Sequence, residues 1–123
     1  MGKVLIVEDN PVNMELAVML LESAGHSVLR AEDAETGLAL ARAKRPDLIL
    51  MDIQLPGMDG LTATRMLKDD PATCAIPIIA LTALAMIGDE ARILAAGCDD
   101  YIAKPLHYKH FLAKIAEFVG SLT

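Results

Sequence analysis

The sequence predicts an α/β protein with a doubly wound parallel sheet whose two faces are covered by helices. Three observations lead to this prediction. Five short apolar runs alternate with five segments of helical periodicity, and no repeat or low-complexity segment interrupts them. Alternation of this kind produces right-handed crossovers and a parallel sheet. The runs are almost purely aliphatic, as expected of strands buried on both faces, and a chain of 123 residues is most simply one domain, 1–123.

The first two strands and helices follow from apolar runs and the residues that bound them. A buried strand is predicted from Lys3 to Val7, and a helix from about Asn13 to Ala24 ends at Gly25. The second strand covers Val28 to Ala31, and Asp33 can cap a helix that reaches about Ala43. Apolar spacing at i, i+3, i+4 and i+7 predicts the buried face of the first helix as Ala17, Leu20, Leu21 and Ala24.

The third strand, Leu48 to Met51, ends at a single carboxylate, Asp52. An acid at the mouth of a buried strand is unfavourable unless something there uses it. Turn signals follow in Pro56-Gly57 and Asp59-Gly60, so the chain must reverse just after this acid. The later elements are predicted as a helix that Asp59 can cap and that reaches about Lys68, a strand from Ile76 to Leu81, a helix around Asp89 to Ala96, a strand from Asp100 to Ala103, and a helix from about His107 to Val119.

Composition argues against several classes of function. The chain has 11 Lys and Arg against 17 Asp and Glu, a net charge of −6, which disfavours direct binding to DNA or to an anionic membrane surface. No apolar run approaches the ~20 residues of a membrane span, and no signal peptide is recognisable. Cys74 and Cys98 lack metal-ligand or CxxC spacing. We therefore expect reduced structural thiols in a cytoplasmic protein.

Polar side chains follow four of the five predicted strands at the point where each strand ends. Because parallel strands end at the same edge of a sheet, where such folds bind ligands, we expect these side chains to be neighbours. Solvation of strand ends would explain any one of them, but not three acids, a hydroxyl and a lysine together. The set is Glu8 and Asp9 after the first strand, Asp52 after the third, Thr82 after the fourth and Lys104 after the fifth.

Three carboxylates gathered at one point need a cation. Two carboxylates about 4 Å apart repel each other by roughly 4 kcal/mol at an effective dielectric of about 20, and Lys104 supplies only one positive charge. Mg²⁺, which prefers oxygen ligands, completes the charge balance. A metal ion, a lysine and a hydroxyl around one carboxylate oxygen form a receptor for a phosphoryl group. We therefore predict that Asp52 is a nucleophile that forms an acyl phosphate.

The same residues carry a resemblance to a known family. The motifs are Val7-Glu8-Asp9-Asn10, Leu50-Met51-Asp52 with Leu55-Pro56-Gly57-Met58-Asp59-Gly60, Leu81-Thr82-Ala83, and Lys104-Pro105. Over essentially its whole length the sequence resembles the response-regulator receiver domain of two-component signalling, in the CheY-like superfamily. It looks like the stand-alone kind, such as the single-domain cell-division response regulators. The resemblance implies a flavodoxin-like (βα)5 three-layer sandwich with strand order 2-1-3-4-5, an order that spacing alone leaves open.

The resemblance also implies a role for each matched residue. Asp52 matches the phosphoacceptor, and Lys104 matches the lysine that pairs with the phosphoryl oxygens. Thr82 matches the switch hydroxyl, and Tyr101 matches the aromatic residue that turns inward with it. Pro105 stands where the family has a cis peptide bond, which X–Pro bonds permit. The implied Mg²⁺ ligands are Glu8, Asp9, Asp52 and the backbone carbonyl of Gln54.

Further positions concern the lifetime of the phosphate and the binding of partners. Gln54 and Leu84 match the tuning positions, and Leu84 cannot hydrogen-bond an attacking water, so we expect slow self-dephosphorylation. Asn13, Leu16 and Pro105 are candidates for docking a histidine kinase or a histidine phosphotransfer protein. The apolar surface of the first helix could equally serve a thicker core. A downstream protein is expected to bind the face formed by the fourth helix, the fifth strand and the fifth helix.

The expected function is that of a phosphorelay response regulator, a signalling phosphoacceptor that catalyses only its own phosphorylation and dephosphorylation. An aspartyl phosphatase of the dehalogenase type is one alternative, but it needs a second Asp where Gln54 stands. A pseudo-receiver would bind partners without phosphorylation, although all five rim residues are present. A flavodoxin-like nucleotide binder would need a Gly- or Ser-rich phosphate loop after the first strand. The sequence could also be a segment of a hybrid kinase.

Overall fold

A computed structural model describes residues 2–83 and 88–119, and within these ranges five strands alternate with five helices. The sheet is entirely parallel, with strand order β2-β1-β3-β4-β5. The predicted α/β fold and the strand order implied by the family resemblance are therefore confirmed. The strands are β1 (Lys3–Val7), β2 (Ser27–Ala31), β3 (Leu48–Asp52), β4 (Ile78–Thr82) and β5 (Asp100–Ala103). The helices are α1 (Pro11–Ser23), α2 (Ala34–Lys44), α3 (Gly60–Asp69), α4 (Asp89–Ala95) and α5 (Tyr108–Val119).

Two hydrophobic layers hold the helices against the sheet. Because successive strand residues point to opposite faces, Ile49 and Met51 of β3 pack with α2, α3 and α4. Leu48 and Leu50 of the same strand pack with α1 and α5. Burial of each such aliphatic side chain stabilises the fold by about 1.5–3 kcal/mol. The alternation therefore explains why the central strand has no polar position until Asp52.

The centre of the sheet is far more enclosed than one of its edges. All five residues of β3 and all five of β4 are buried, whereas β2 is mostly half-buried or exposed. Asp52 and Thr82, the last residues of these two strands, are each 3% exposed. The two side chains thus lie at the sheet rim without being open to bulk solvent.

The start of α1 differs from the prediction. The helix begins at Pro11, two residues before the predicted Asn13, and Asn10 caps it. Asn10 Oδ1 accepts hydrogen bonds from the backbone N–H groups of Val12 at 2.9 Å and Asn13 at 3.1 Å. Pro11 suits the first helical position, where its missing N–H has no partner to lose. An Asn-Pro pair is compatible with both a turn and a helix cap, and only the fold decides between them.

The buried face of α1 is rotated from the predicted one. Ala17 and Leu21 are buried as expected, but Met14 and Val18 complete the buried stripe. Leu20 and Ala24, which were predicted to belong to it, are only half-buried. Both sets have helical spacing, since α1 is apolar over a wide arc. The pattern alone could not distinguish them.

Lys68 of α3 contacts the two segments that lead into β4 and β5. Its ammonium donates to the carbonyl of Ile76 at 2.9 Å and pairs with the Asp99 carboxylate at 3.1 Å. Asp99 Oδ2 also accepts the N–H of Ile78 at 2.8 Å.

Strand β4 begins at Ile78 rather than at the predicted Ile76, because Pro77 has no N–H to donate to the ladder.

The two cysteines differ in exposure. Cys74 is exposed and Cys98 is buried, and neither forms a disulfide. The Cys98 thiol lies 3.8 Å from Thr64 Oγ1, and burial raises its pKa. Among the helices of the described residues, none has the length and hydropathy needed to cross a membrane.

Candidate functional site

Three acids and one lysine meet at the carboxyl ends of the strands. Glu8, Asp9 and Asp52 each place a carboxylate oxygen within 4.8 Å of the others. Lys104 Nζ lies 2.8 Å from Glu8 Oε1 and 3.2 Å from Asp52 Oδ2. Glu8 and Asp52 are buried, whereas Asp9 is exposed. One side of this acidic cluster is therefore enclosed by the protein and the other is open to solvent.

The parallel register brings these residues together. Val7 lies opposite Met51, so the residues that follow them, Glu8 and Asp52, emerge side by side. The next pairing along the sheet aligns Asp52 with Leu81. On the far side of β4, the Lys104 N–H donates to the Thr82 carbonyl at 2.7 Å. Backbone pairing thus sets the separation of the functional side chains.

The surroundings of Glu8 shift the pKa of its carboxyl group. It is only 2% exposed, and Oε2 accepts the Asn10 N–H at 3.3 Å. Burial raises the pKa of Glu8 to about 7, helped by the hydrogen bond and charge repulsion from Asp52 and opposed by the Lys104 ammonium. A carboxyl group with this pKa is protonated in mildly acidic solution and can then donate to its neighbour.

Lys104 remains charged despite its partial burial. Burial by itself lowers the pKa of an ammonium group, but Glu8 and Asp52 outweigh that effect, and the pKa of Lys104 is raised. Its side chain is 16% exposed. The Lys104–Pro105 peptide bond is cis, as the family resemblance implied. A fixed positive charge therefore faces the Asp52 carboxylate.

The donor set of the cluster fits a hard divalent cation. Three carboxylates and one ammonium leave a formal charge of about −2, which one divalent ion neutralises. Glu8 Oε1 is buried and lies 2.8 Å from the Lys104 ammonium, a contact that leaves part of the acceptor capacity of this carboxylate oxygen free. A buried carboxylate oxygen with unused acceptor capacity suits metal coordination. Glu8, Asp9 and Asp52 would hold Mg²⁺ through oxygen, the ligand type it prefers.

The Asp52 carboxylate is oriented from two directions. Oδ1 accepts the Gln54 N–H at 2.9 Å, and Oδ2 faces Lys104. The Gln54 side chain is exposed at the rim. These two contacts fix the orientation of the Asp52 carboxylate, and one side of the acidic cluster stays open to solvent.

Gly60 is a site-supporting residue whose role the sequence did not reveal. A Cβ atom on Gly60 would lie 2.0 Å from the Asp52 carbonyl oxygen, and the Gly60 N–H donates to the Ile53 carbonyl at 3.3 Å. Helix α3 therefore begins directly against the backbone of the central acid. Asp59 caps α3, as the sequence predicts, whereas Gly60, which the sequence indicates only as part of a turn, permits the close approach of the helix.

The two residues expected to switch lie on β4 and β5. Thr82 is buried at the end of β4. Tyr101 is half-buried, pairs in register with Ala80, and packs against the layer shared with α2, α3 and α4. The charge of Glu90, in the first turn of α4, raises the pKa of the Tyr101 hydroxyl. Leu84, the other predicted tuning position, lies outside the described residues.

The candidate docking residues, two on α1 and one after β5, all reach the protein surface. Asn13 and Leu16 are half-buried, and Pro105 is exposed. Val12 is 75% exposed and Met19 is 60% exposed. A thicker core accounts for Val18, which is buried, but not for these two side chains. We refer to Val12, Leu16 and Met19 as the α1 apolar patch.

Comparison with known proteins places the chain in a family. The sequence profile of the response regulator receiver domain matches residues 4–116. The chain belongs to the response-regulator receiver family. Among curated receiver proteins, the polar-differentiation response regulator DivK of Brucella anthropi is 50% identical over 117 residues, which are 95% of this chain and 95% of that protein. DivK of Brucella melitensis is 49% identical over the same shares of both chains.

Solved receiver structures have the same fold. The receiver domain of a sensor histidine kinase from Pseudomonas aeruginosa superposes with a TM-score of 0.90 at 39% identity, covering 98% of both chains. That structure holds a magnesium ion coordinated in its active-site cleft. The chemotaxis protein CheY4 of Vibrio cholerae gives a TM-score of 0.90 at 26% identity, covering 96% of this chain and 98% of that one. The protein is thus a receiver domain of two-component signalling.

Proposed function

We propose that this receiver takes a phosphoryl group onto Asp52 from the phosphohistidine of a histidine kinase or a histidine phosphotransfer protein, and that Mg²⁺ assists the transfer. The observation that carries the proposal is the position of Asp52 within one cluster with Glu8 and Asp9, facing Lys104 at 3.2 Å. The whole chain, 1–123, would act as one cytoplasmic signalling domain.

In the proposed reaction an oxygen of the Asp52 carboxylate attacks the phosphorus atom. A P–O bond forms and the P–N bond of the phosphohistidine breaks; the other ring nitrogen of that histidine carries a proton, so the products are an acyl phosphate and a neutral imidazole. Lys104 pairs with the phosphoryl oxygens, and the Gln54 N–H keeps the carboxylate in position. When bound, Mg²⁺ neutralises charge on the transferring group. Its proposed ligands are Glu8, Asp9, Asp52 and the backbone carbonyl of Gln54.

The proposed output is a change in the α4-β5-α5 face. Thr82 would move toward the phosphoryl group and Tyr101 would turn inward with it, altering the binding of a downstream protein. This face has exposed apolar side chains, since Leu94 is 47% exposed and Tyr108 is 58% exposed. A coupling free energy of about 1–3 kcal/mol between phosphorylation and partner binding is sufficient for such a switch.

The proposed input is docking of the phosphodonor on α1. The α1 apolar patch lies on the helix that follows Glu8 and Asp9 in the chain, and Asn13, Leu16 and Pro105 would frame the approach to the cluster. An exposed apolar patch on a helix suits a partner that presents its own helices. Substitution of Met19 by Glu is expected to slow transfer from the cognate donor without changing phosphorylation by a small phosphodonor.

The protein is proposed to be a signalling phosphoacceptor rather than a metabolic enzyme. An aspartyl phosphatase of the dehalogenase type would need a carboxylate at position 54, where Gln54 stands. A pseudo-receiver would have no use for a buried acid and lysine arranged around Asp52. Receiver membership and the charge arrangement together favour phosphoryl acceptance.

The deciding experiment compares wild-type protein with Asp52→Asn. Each is treated with beryllofluoride, or with a small phosphodonor, in the presence of Mg²⁺, and the adduct is measured by ¹⁹F NMR or intact mass. Asp69→Asn, at an exposed carboxylate on α3, serves as the matched control. We expect an adduct on the wild type and on Asp69→Asn but none on Asp52→Asn. An absent adduct on the wild type, or an equal adduct on Asp52→Asn, would refute the proposal.

A further inference from the structure

Thr64 of α3 carries a buried hydroxyl that the reaction chemistry does not use. The residue is 0% exposed, and its Oγ1 donates to the carbonyl of Gly60, one turn earlier, at 2.8 Å. The same oxygen accepts the thiol of Cys98 at 3.8 Å, which leaves the hydroxyl proton for Gly60. A threonine that bonds back to the carbonyl four residues earlier bends a helix locally. Here the carbonyl belongs to the first residue of α3.

Gly60 connects the start of α3 to the chain that follows Asp52. Its N–H donates to the Ile53 carbonyl at 3.3 Å, and its Cα lies so close to the Asp52 carbonyl that no Cβ would fit there. The Ile53 carbonyl and the Gln54 N–H are the two ends of one planar peptide group. That N–H donates to Asp52 Oδ1 at 2.9 Å. A shift of Gly60 therefore tilts this peptide plane and, with it, the Asp52 carboxylate.

We propose that Thr64 is a positioning residue for Asp52, acting through Gly60 and the peptide group between Ile53 and Gln54. The inference rests on the proposed phosphoacceptor role of Asp52 and adds to it a residue that sets the aim of the carboxylate. In the part of the chain that the structure describes, the Thr64 hydroxyl contacts Gly60 and Cys98 rather than the reacting group. Its effect on the reaction is therefore indirect and passes through the hydrogen-bonded backbone.

Helix α3 itself supplies a matched control in Thr73. This threonine is also buried, at 1% exposed, and its Oγ1 donates to the carbonyl of Leu67 at 2.7 Å. Leu67 lies near the end of α3, whereas Gly60 begins it. Thr64→Val and Thr73→Val each remove one buried hydroxyl and one hydrogen bond to a carbonyl of the same helix. Similar losses of stability are therefore expected, although only Thr64 is connected to the peptide group that orients the carboxylate.

The test measures the rate constant of phosphorylation by phosphoramidate at saturating Mg²⁺, followed by intact mass, with urea unfolding of each variant alongside. A misplacement of about 1 Å can slow a reaction about 100-fold, and the loss of one hydroxyl permits a smaller shift. We expect Thr64→Val to react about threefold to tenfold more slowly and Thr73→Val to react at the wild-type rate. Thr64→Ser keeps the hydroxyl and should restore the rate. If the valine variants fold poorly, Thr64→Ala and Thr73→Ala give the same comparison.

The amide signal of Gln54 in NMR spectra reports the path of the effect. Its proton is hydrogen-bonded to a carboxylate, so weakening of that bond should move the signal upfield in Thr64→Val and not in Thr73→Val. The positioning role is overturned if Thr64→Val reacts like the wild type, if Thr73→Val is slowed as much, if Thr64→Ser restores nothing, or if the Gln54 signal stays in place. Any of these outcomes with a phosphorylated wild type overturns the role of Thr64 alone. A wild type that takes no phosphoryl group overturns the proposed function and this inference with it.

Discussion

Lys104 Nζ and Glu8 Oε1 lie 2.8 Å apart in the enclosed part of the site, and the same ammonium lies 3.2 Å from Asp52. One positive charge thus faces two carboxylates that the sheet register forces together. Burial, together with the hydrogen bond and charge of Asp52, raises the pKa of Glu8 to about 7 against the opposing effect of Lys104, and the two acids raise the pKa of Lys104.

Replacement of Lys104 by Met should separate the two roles of this charge. The variant loses the ammonium that faces the phosphoryl group, so we expect the affinity for beryllofluoride to fall by at least about tenfold, equivalent to ~1.4 kcal/mol. The pKa of Glu8 should rise further, because the group that lowers it is gone. Isothermal titration measures the first effect and ¹³C NMR of the Glu8 carboxyl the second. Lys109→Met, at an exposed lysine of α5, should change neither; equal losses in the two variants would contradict the assignment.

Mg²⁺ binding should depend on pH in the direction that the Glu8 pKa requires. Below pH about 7 the folded protein holds a proton on Glu8 that the metal must displace, so affinity should fall by about tenfold for each pH unit and level off above that point. Calorimetry in buffers of different ionisation enthalpy would count the released protons. Glu8→Gln should bind Mg²⁺ more weakly and without this slope. A flat affinity between about pH 5.5 and 8 in the wild type would refute the prediction.

The raised pKa of Glu8 also makes the stability of the metal-free protein depend on pH, in the opposite direction to the Mg²⁺ affinity. The Glu8 pKa rises from a model-peptide value of 4.5 to about 7 on folding, so between these values the folded state binds the extra proton. The Glu8 contribution to the free energy of unfolding is therefore most favourable below pH 4.5 and is lost as pH rises toward 7. Urea unfolding of wild type and Glu8→Gln without metal should show that the variant gains relative stability as pH rises.

Gly60→Ala should damage both folding and the site. Its new Cβ would lie 2.0 Å from the Asp52 carbonyl oxygen, and backbone cannot move aside as a flexible side chain can. We expect a loss of about 3 kcal/mol or more in the free energy of unfolding, together with weaker beryllofluoride binding. Gly57→Ala is the matched control: Gly57 has a positive φ of 75° but open space around it. That variant should lose only about 1 kcal/mol and keep its ligand affinity.

The lifetime of the acyl phosphate tests the predicted role of Leu84. A leucine offers no hydrogen bond to the water that attacks the phosphorus, so self-dephosphorylation should be slow. Leu84→Glu should shorten the half-life of the phosphorylated protein, measured by the decay of the phosphorylated mass species after removal of the phosphodonor. Leu94→Glu, at an exposed position of α4, should leave the decay rate unchanged. If Leu84→Glu decays like the wild type, this tuning role is wrong.

Much of the architecture was predictable because each level of the sequence points to the same answer. The aliphatic runs could only be buried strands, and parallel strands must end together, so Glu8, Asp52 and Lys104 were expected at one rim. The boundaries of α1 were not predictable, because Asn10-Pro11 suits a turn and a cap equally well. The rotated face of that helix was missed for a related reason: an apolar arc that includes both Val18 and Leu20 has no unique buried side.

The contacts that support the site were harder to foresee. The close approach of Gly60 to the Asp52 backbone depends on where α3 begins in space. The spacing of apolar residues in the sequence does not indicate that position. The charge interaction that raises the pKa of Tyr101 joins Glu90 of a helix to a strand, and the two residues are unremarkable in the sequence taken one at a time. A short residue placed directly after the helix cap Asp59 was the single available signal for the first contact.

The assembly of the site from β1, β3 and β5 makes a local ligand a stabiliser of the entire chain. Glu8 and Lys104 come to the same site from nearly opposite ends of the sequence, so the site forms only when the neighbouring strands β1, β3, β4 and β5 have paired. An ion present at about one hundred times its dissociation constant would add about 2.7 kcal/mol to folding. Binding of the ion to these few oxygen atoms would then raise the melting temperature of the folded domain. The resistance of the chain to proteolysis would report the state of the site.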